Sequence, residues 1–223
     1  MNTILVTHTI YVKPAFHCFF LSILGYSGLM GRPSNLTSRR AQVADALVRL
    51  LAMGSFSEIS IAELAREAGV APGLVHHYFV DKAEVLVVAV ERMAVGLELR
   101  LVERLRAAGD QPKARVHAFI DAWLAPDVGA SPRAAFAWVA IGDEARRRND
   151  VQRLYLAAFE RAVERLRDEL VPLSRRRAAK VARTVMISIE GALRVGAAGG
   201  LAPGSAAPLV RGLVDALVAE SAL

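Results

Sequence analysis

Apolar residues recur every three or four positions along most of this chain, which is the spacing of one face of an α-helix. Val43, Leu47 and Leu51 follow this spacing between about Ser38 and Met53. No run of alternating apolar and polar residues bounded by turns is present to predict a strand. The pattern therefore predicts an all-α protein of about nine helices.

A long helix is predicted from Lys82 to Arg106, with Gly109 and Pro112 closing it. Its stripe lasts for more than six turns: Leu86, Val90, Met93, Leu97, Leu101 and Leu105. Such a helix can connect two lobes. Capping residues and prolines predict five later helices: about Lys113 to Leu124, Ser131 and Pro132 to Arg148, Asp150 to Leu170, Ser174 to Ala198, and Ser205 to Ala219.

The segment from Ser60 to Lys82 has the helix start and stop signals of a helix-turn-helix. Ser60 and Glu63 have the spacing of a capping box, so a short helix is expected to begin at Ile61. Gly69 ends that helix, because glycine adopts the left-handed conformation at little cost. A second short helix follows from Pro72 to about Phe79.

The solvent side of the second helix favours DNA binding over an ordinary helical hairpin. Gly73 allows close backbone approach, and His76, His77 and Tyr78 offer hydrogen-bond donors where a bundle needs apolar residues. Lys82 is then placed to contact a phosphate. Spacing alone leaves the helical-hairpin interpretation open.

The segment from Ser38 to Val85 resembles the TetR family of bacterial one-component transcriptional repressors. The matching residues are Gly54, Phe56, Ser60, Leu64, Ala65, Ala68, Gly69, Val70, Gly73, Phe79 and Lys82. The sequence departs from many members at Leu74, where they have a small hydroxyl residue, and at His76, where they have tyrosine. GLVHHYF is more similar to the subgroup of choline-responsive repressors of betaine synthesis.

This resemblance implies a homodimer that binds a palindromic double-stranded DNA operator and releases it when a small-molecule effector binds. A helical protein-interaction module that keeps the fold without DNA binding is the alternative. The predicted DNA-binding residues lie in the arm, the motif and the start of the long helix: Arg32, Arg39, Arg40, Ser60, Ala71, Pro72, Gly73, Leu74, His76, His77, Tyr78 and Lys82. For the arm, a solvated leader is an equally good interpretation.

We expect three regions. Residues 1–31 form a disordered extension or lie before the true start, residues 32–84 form a helix-turn-helix domain with its motif at about 60–79, and residues 85–223 form a helical effector-binding and dimerisation domain. The apolar run from Ala15 to Met30 is shorter than the roughly 20 residues of a membrane helix. It is also a poor secretory signal. We expect translation to start at Met30 rather than Met1, with a membrane anchor as the alternative.

Composition adds modest constraints. The chain has 223 residues and a formal net charge of +6, which favours nucleic acid or acidic surfaces but is common in proteins that bind neither. Its single cysteine, Cys18, excludes an internal disulfide and favours a reducing cytoplasm.

The sequence contains no arrangement typical of an enzyme. His76 and His77 are adjacent and therefore about 100° apart on a helix, whereas a shared metal needs ligands three or four residues apart. HExxH, GxSxG and phosphate-loop motifs are absent from the sequence. We expect no catalytic residues, no metal and no cofactor.

Aromatic residues and one glutamate in the carboxy-terminal half are candidates for an effector site. The predicted residues are Phe119, Trp123, Trp138, Tyr155, Phe159, Met186 and Glu190, with Phe136 as a further lining residue. Most of these residues are better explained as parts of a hydrophobic core. Glu190 lies among apolar residues, and with a ring such as Trp138 it would suit a cationic ligand. His117 or Asp143 can fill the same role.

The last two predicted helices carry stripes of small and apolar residues, which let helices approach closely. Packing inside the monomer is one explanation of these stripes. Pairing across a two-fold axis is favoured, because two recognition helices about 34 Å apart can read a palindrome. The predicted dimer interface is Ser188, Gly191, Ala192, Val195, Leu209, Leu213 and Leu217.

Overall fold

A short capped helix and a left-handed glycine define the amino-terminal helical motif. The computed structural model describes residues 35–125 and 132–219. In it, α1 (Asn35–Leu51) precedes α2 (Ile61–Ala68) and α3 (Pro72–Tyr78). Ser60 and Glu63 form both bonds of the capping box, and Gly69 adopts φ 66° after α2. The capped start of α2 and the glycine turn after it confirm the predicted helix-turn-helix.

The connecting helix α4 spans Lys82–Ala108, and its 27 residues correspond to about 40 Å. Asp81 caps its start by accepting a hydrogen bond from the Glu84 amide. Gly109, with φ 66°, ends it. Pro112 then begins the next helix.

Five helices complete the described chain: α5 (Pro112–Leu124), α6 (Pro132–Ala145), α7 (Asn149–Leu170), α8 (Ala178–Ala197) and α9 (Pro203–Ala219). These make nine helices and no strand in residues 35–125 and 132–219, which confirms the predicted fold class. Three residues predicted to cap the starts of later helices are Asp150, Ser174 and Ser131. Asp150 lies inside the first turn of α7, and α8 begins at Ala178, so neither Asp150 nor Ser174 is the cap. Ser131 lies outside the described residues.

Two hydrophobic cores organise these helices. The first holds Phe56, Ile59 and Phe79 with the buried faces of α1 to α3 and the start of α4. Ala137, Ile141 and Ala145 of α6 belong to this same core. The second core lies among α4 to α9 and includes Trp138 of α6. Helix α6 therefore contributes side chains to both cores, and the proposed domain boundary at residue 84 stays a prediction.

Two kinds of feature are absent from residues 35–125 and 132–219. No helix there is long and apolar enough to cross a membrane. No group of three or more His, Cys, Asp or Glu side chains there is arranged to hold a metal ion. The extension over 1–31 lies outside the described residues.

Candidate nucleic-acid interface and ligand cavity

Helix α3 buries one side and exposes the side on which most of the predicted base contacts lie. Val75 and Phe79 anchor the helix in the first core, at 1% and 3% exposure. The exposed predicted residues are Ser60, Ala71, Pro72, Gly73, Leu74, His76 and His77. Tyr78 is half-buried, and its ring lies edge-on to His77 with centroids 5.2 Å apart. The two anchors therefore fix which side of α3 faces outward.

The fold does not require glycine at position 73. Its φ is not positive, and a Cβ atom placed there would meet no atom within 4 Å. The structure leaves room for the predicted close approach of another molecule at Gly73, and that approach stays a prediction.

The Arg40 side chain contacts other parts of the same protein chain. Its guanidinium donates to the Tyr78 carbonyl, and its Nη2 lies 2.6 Å from a Glu84 carboxylate oxygen. It also lies 4.2 Å from the centre of the Phe79 ring. Arg40 thus ties α1 to the end of α3 and the start of α4, which leaves its predicted phosphate contact without support from the geometry.

The other two residues of the predicted arm differ from Arg40. Arg39 is exposed and donates to Gln42 of the same helix over 2.9 Å. An exposed guanidinium whose bond within the described residues is to a neighbour one turn away can turn toward a phosphate. Arg32 lies outside the described residues.

Lys82 is also engaged by the protein. Its Nζ donates to the carbonyls of Phe56 and Ile59, each over 2.7 Å, and lies 4.4 Å from the Phe56 ring centre. Burial lowers the pKa of this ammonium, and the charge of Glu144 opposes that effect. Lys82 therefore fastens the loop before α2 to the start of α4, and a phosphate contact would compete with these two carbonyls.

We expect Lys82→Met to lower the free energy of unfolding by about 1 to 3 kcal/mol, because two carbonyls lose their donor. Urea unfolding of the purified variant measures this loss. Lys113→Met is the matched control, since Lys113 makes an exposed ion pair with Asp215 whose loss should have little effect. Equal stability of the two variants would contradict the fastening role of Lys82.

Four of the predicted effector residues meet at the junction of α5, α6, α7 and α8. The Glu190 carboxylate accepts a hydrogen bond from the Trp138 indole over 2.9 Å and another from the Tyr155 hydroxyl over 2.8 Å. Trp138 and Tyr155 stack with ring centres 4.8 Å apart, and Trp123 meets Trp138 edge-on at 5.9 Å. Burial and the nearby Glu190 charge raise the pKa of Tyr155, so its hydroxyl stays protonated and donates.

A cavity of about 800 Å³ lies beside this cluster. Its wall includes Trp123, Trp138 and Phe136 together with Leu97 and Arg100 of α4. Glu190 and Tyr155 are not among the described residues of the wall, but both contact Trp138, which is. Sequence reasoning missed Arg100, because nothing in the helical periodicity distinguishes a cavity residue from a surface one.

Three predicted effector residues belong to the core instead of the cavity wall. Phe119 and Met186 are fully buried, and Phe159 packs against the second core. The two alternatives to Glu190 have other partners. His117 lies 3.0 Å from Asp215, and Asp143 pairs with Arg194 at 3.1 Å.

The predicted dimer residues of α8 and α9 lie mainly on exposed surface. Val195 is 50% exposed and Leu209 65%, and Gly191 would place a Cβ in open space. Leu213 is exposed, whereas Ser188, Ala192 and Leu217 are half-buried. Ile187, which the prediction omitted, is 60% exposed beside them. Exposed apolar residues on two adjacent helices are typical of a surface that meets another protein chain.

Two family models match this chain. Residues 43–89 match the model of bacterial regulatory proteins of the tetR family, and residues 112–219 match the carboxy-terminal domain of BetI-type transcriptional repressors. The chain belongs to the TetR family. The first match covers most of α1 through the start of α4, and the second covers α5 to α9.

Curated relatives of this TetR-family chain are named HTH-type transcriptional regulator BetI. The one from Rhizobium meliloti is 35% identical over 60% of this chain and 63% of its own length. One from Brucella melitensis is 29% identical over 77% of this chain and 86% of its own length. These matches confirm two predictions from the sequence: the TetR family, and the similarity to BetI-type repressors.

Solved structures show the same fold at lower identity. A TetR-family regulator from Cytophaga hutchinsonii aligns with a TM-score of 0.72 at 14% identity, covering 86% of this chain and 98% of its own. A transcriptional regulator from Saccharomonospora viridis, crystallised in complex with choline, aligns with a TM-score of 0.67 at 19% identity over 81% of this chain and 95% of its own. These similarities describe the TetR-like fold alone.

Proposed function

We propose that this protein is a homodimeric transcriptional repressor that binds a palindromic DNA operator and releases it when a small cationic ligand binds. The observation that carries the DNA-binding proposal is the outward face of α3. It combines a glycine that the fold does not need with two exposed histidines, His76 and His77. A cytoplasmic location belongs to the same proposal.

The dimer is supported by the exposed apolar residues of α8 and α9. Ile187, Gly191 and Val195 follow one another at intervals of four along α8, and Leu209 and Leu213 do so along α9. A two-fold axis through this surface would bury both stripes against their copies. Two α3 helices would then be available for the two halves of a palindrome.

The cationic ligand is supported by the aromatic wall and the charge behind it. The indole of Trp138 faces the cavity while its N–H donates to the Glu190 carboxylate. Such a bond polarises the indole and raises the electron density of its ring, and an aromatic face attracts a quaternary ammonium group. The choline complex of the Saccharomonospora viridis protein supports a ligand of this chemistry, and choline is a suitable first probe.

Two variants test the DNA contacts on an operator selected from randomised duplexes. His77→Ala is expected to relax preference at one base pair by about 1 to 3 kcal/mol, because a base-edge contact is lost. Arg39→Ala is expected to weaken binding to all sequences alike and to reduce the salt slope by about one unit, because a phosphate contact is lost. Fluorescence anisotropy over a range of salt concentrations measures both effects.

The alternative of a protein-interaction module without DNA binding makes a different prediction. Phosphate neutralisation gives DNA retention a steep dependence on salt, and a protein that binds only proteins lacks this dependence. Equal losses on operator and random DNA for His77→Ala would overturn the base contact assigned to His77. An unchanged salt slope for Arg39→Ala would overturn the phosphate contact assigned to Arg39. Absence of any salt-dependent DNA binding by the wild type would favour the alternative.

A further inference from the structure

The cavity beside Trp138 is much larger than a choline molecule. Its volume of about 800 Å³ lies in the upper part of the range of about 300 to 1,000 Å³ that is usual for sites of drug-sized ligands. Choline is a trimethylammonium group with a two-carbon arm, so it would leave most of that space to water. The cavity therefore has room for a ligand that extends well beyond an ammonium group.

Most of this space is bounded by apolar side chains. Arg100 is charged and Ser205 carries a hydroxyl, whereas the other described wall residues are glycines or carry hydrocarbon, aromatic or thioether side chains. The larger aliphatic and aromatic residues come from four helices: Met93 and Leu97 of α4, Leu124 of α5, Phe136 of α6 and Leu193 of α8. Hydrocarbon that replaces water against such a wall is stabilised in proportion to the apolar area buried. The wall thus favours a ligand with an apolar part.

The one charged residue of the described wall does not change this preference. The Arg100 Nη2 donates to the main-chain carbonyls of Asp121 and Ala125, at the carboxy-terminal end of α5. The stem of an arginine is hydrocarbon and can cover apolar surface while its head makes polar contacts. Trp138, by contrast, contacts the Glu190 carboxylate. The wall at Trp138 is therefore the side suited to a cation, and Arg100 adds apolar area to the rest.

Gly96 of α4 gives a way to test the use of this space. It belongs to the wall, and a Cβ atom placed there would meet no atom within 4 Å. Its φ is not positive, so a larger residue fits the helix without backbone strain. The described ring contacts of Trp138 are with Trp123 of α5 and Tyr155 of α7. A side chain at position 96 is therefore expected to fill cavity space and to leave the aromatic cluster intact.

We propose that the effector is a lipophilic cation, with a quaternary ammonium group against Trp138 and an uncharged apolar chain of several carbons against Met93 and Leu97. The proposal rests on the proposed function, since it takes the cationic end from there. It adds the apolar chain, which the size and the composition of the cavity wall support. Choline is then a fragment of the ligand class that the cavity favours.

Four small probes separate the two parts of the ligand. Choline carries the ammonium group with a short arm, and hexyltrimethylammonium carries it with a longer apolar chain. Their uncharged counterparts are 3,3-dimethylbutanol, in which carbon replaces the nitrogen of choline, and 1-hexanol, which lacks the ammonium group. Isothermal titration calorimetry of the full chain with each probe gives four dissociation constants. The chain effect is the ratio of the dissociation constants of choline and hexyltrimethylammonium. The cation effect is the ratio between each uncharged probe and its charged counterpart.

We expect hexyltrimethylammonium to bind at least about tenfold more tightly than choline, because each buried methylene contributes up to about fourfold. Gly96→Leu should reduce this ratio to about three or less while choline affinity stays within about twofold of the wild type, because the leucine fills space that the chain would occupy. Ala107→Leu is the matched control. Ala107 is exposed about three turns later on the same side of α4 and is not among the described wall residues. The control should keep the wild-type ratio.

Each other outcome has a defined meaning. Equal binding of choline and hexyltrimethylammonium, or a ratio that survives Gly96→Leu, would overturn the apolar chain. The cationic effector of the proposed function would still stand if choline bound more tightly than 3,3-dimethylbutanol. If Gly96→Leu does not fold, the wild-type ratio alone decides. Binding of the uncharged probes as tight as that of the cations would overturn the cationic effector. Failure of all four probes to bind overturns both proposals.

Discussion

Gly191→Leu is expected to convert the protein from a dimer to a monomer and to lower its affinity for the operator by more than about 100-fold. Gly191 is exposed on α8, and a Cβ there meets nothing within the same chain. The larger side chain should therefore leave the monomer folded. In a close-packed interface it would add bulk that costs about 1 to 3 kcal/mol, and a two-fold axis applies the change in both subunits.

Sedimentation at micromolar concentration measures the association state of this variant, and circular dichroism checks that it stays helical. Ala107→Leu is the matched control, because it adds the same side chain at an exposed position of α4 outside the proposed interface. The control should sediment like the wild type. A Gly191→Leu dimer with unchanged operator affinity would place the interface elsewhere.

Glu190→Gln is expected to weaken choline binding by about tenfold or more while leaving 3,3-dimethylbutanol binding nearly unchanged. The substitution keeps the size of the side chain but removes the charge behind Trp138. A cation at a partly desolvated aromatic wall gains roughly 1 to 2 kcal/mol from such a site. Calorimetry with both probes separates loss of charge from loss of shape.

The control for this variant is Glu160→Gln. Glu160 pairs with Arg183 on the exposed surface between α7 and α8, so its loss also removes one carboxylate beside α8. Choline affinity should stay at the wild-type value in the control. An equal loss in the two variants, or equal weakening of choline and the uncharged probe, would show that Glu190 does not act through its charge.

The helix-turn-helix was predictable because its signals are local. A capping box needs two residues at a fixed spacing, and Gly69 marks the turn by itself. Phe56 and Ile59, in the short loop between α1 and α2, are buried in the first core. The part of the candidate site that depends on the exposed face of α3 was therefore predicted from the sequence.

The roles of Arg40 and Lys82 were not predictable, because they depend on partners far away in the chain. Arg40 meets Glu84, 44 residues later, and Lys82 meets carbonyls 26 and 23 residues earlier. A basic residue near a recognition helix is expected to contact phosphate in the absence of that information. These contacts show that both residues stabilise the packing of the motif against α1 and α4.

The effector cluster was partly predictable. Trp138 and Glu190 were paired from chemistry, and the structure brings them within hydrogen-bond distance. Phe119 and Met186 show the limit of such reasoning, since an aromatic or methionine at helical spacing is equally suited to a core. Whether a residue faces a cavity depends on the packing of five helices, which no single helix encodes.

The start of α8 shows a further limit. A serine before an apolar run predicts a cap, yet Ser174 is buried and the helix begins at Ala178. Its amide donates to the Leu170 carbonyl in the turn that ends α7. Tertiary packing of that turn outweighs the local signal.

Selection of bound sequences from a randomised duplex library by the full-length protein tests the central claim most directly. We predict enrichment of a palindrome whose half-sites are centred about one helical turn or a multiple of it apart, because two α3 helices must read the same groove pattern. Addition of the effector should reduce recovery of that palindrome. Recovery of sequences with no common motif would contradict the assignment of this protein as an operator-binding repressor.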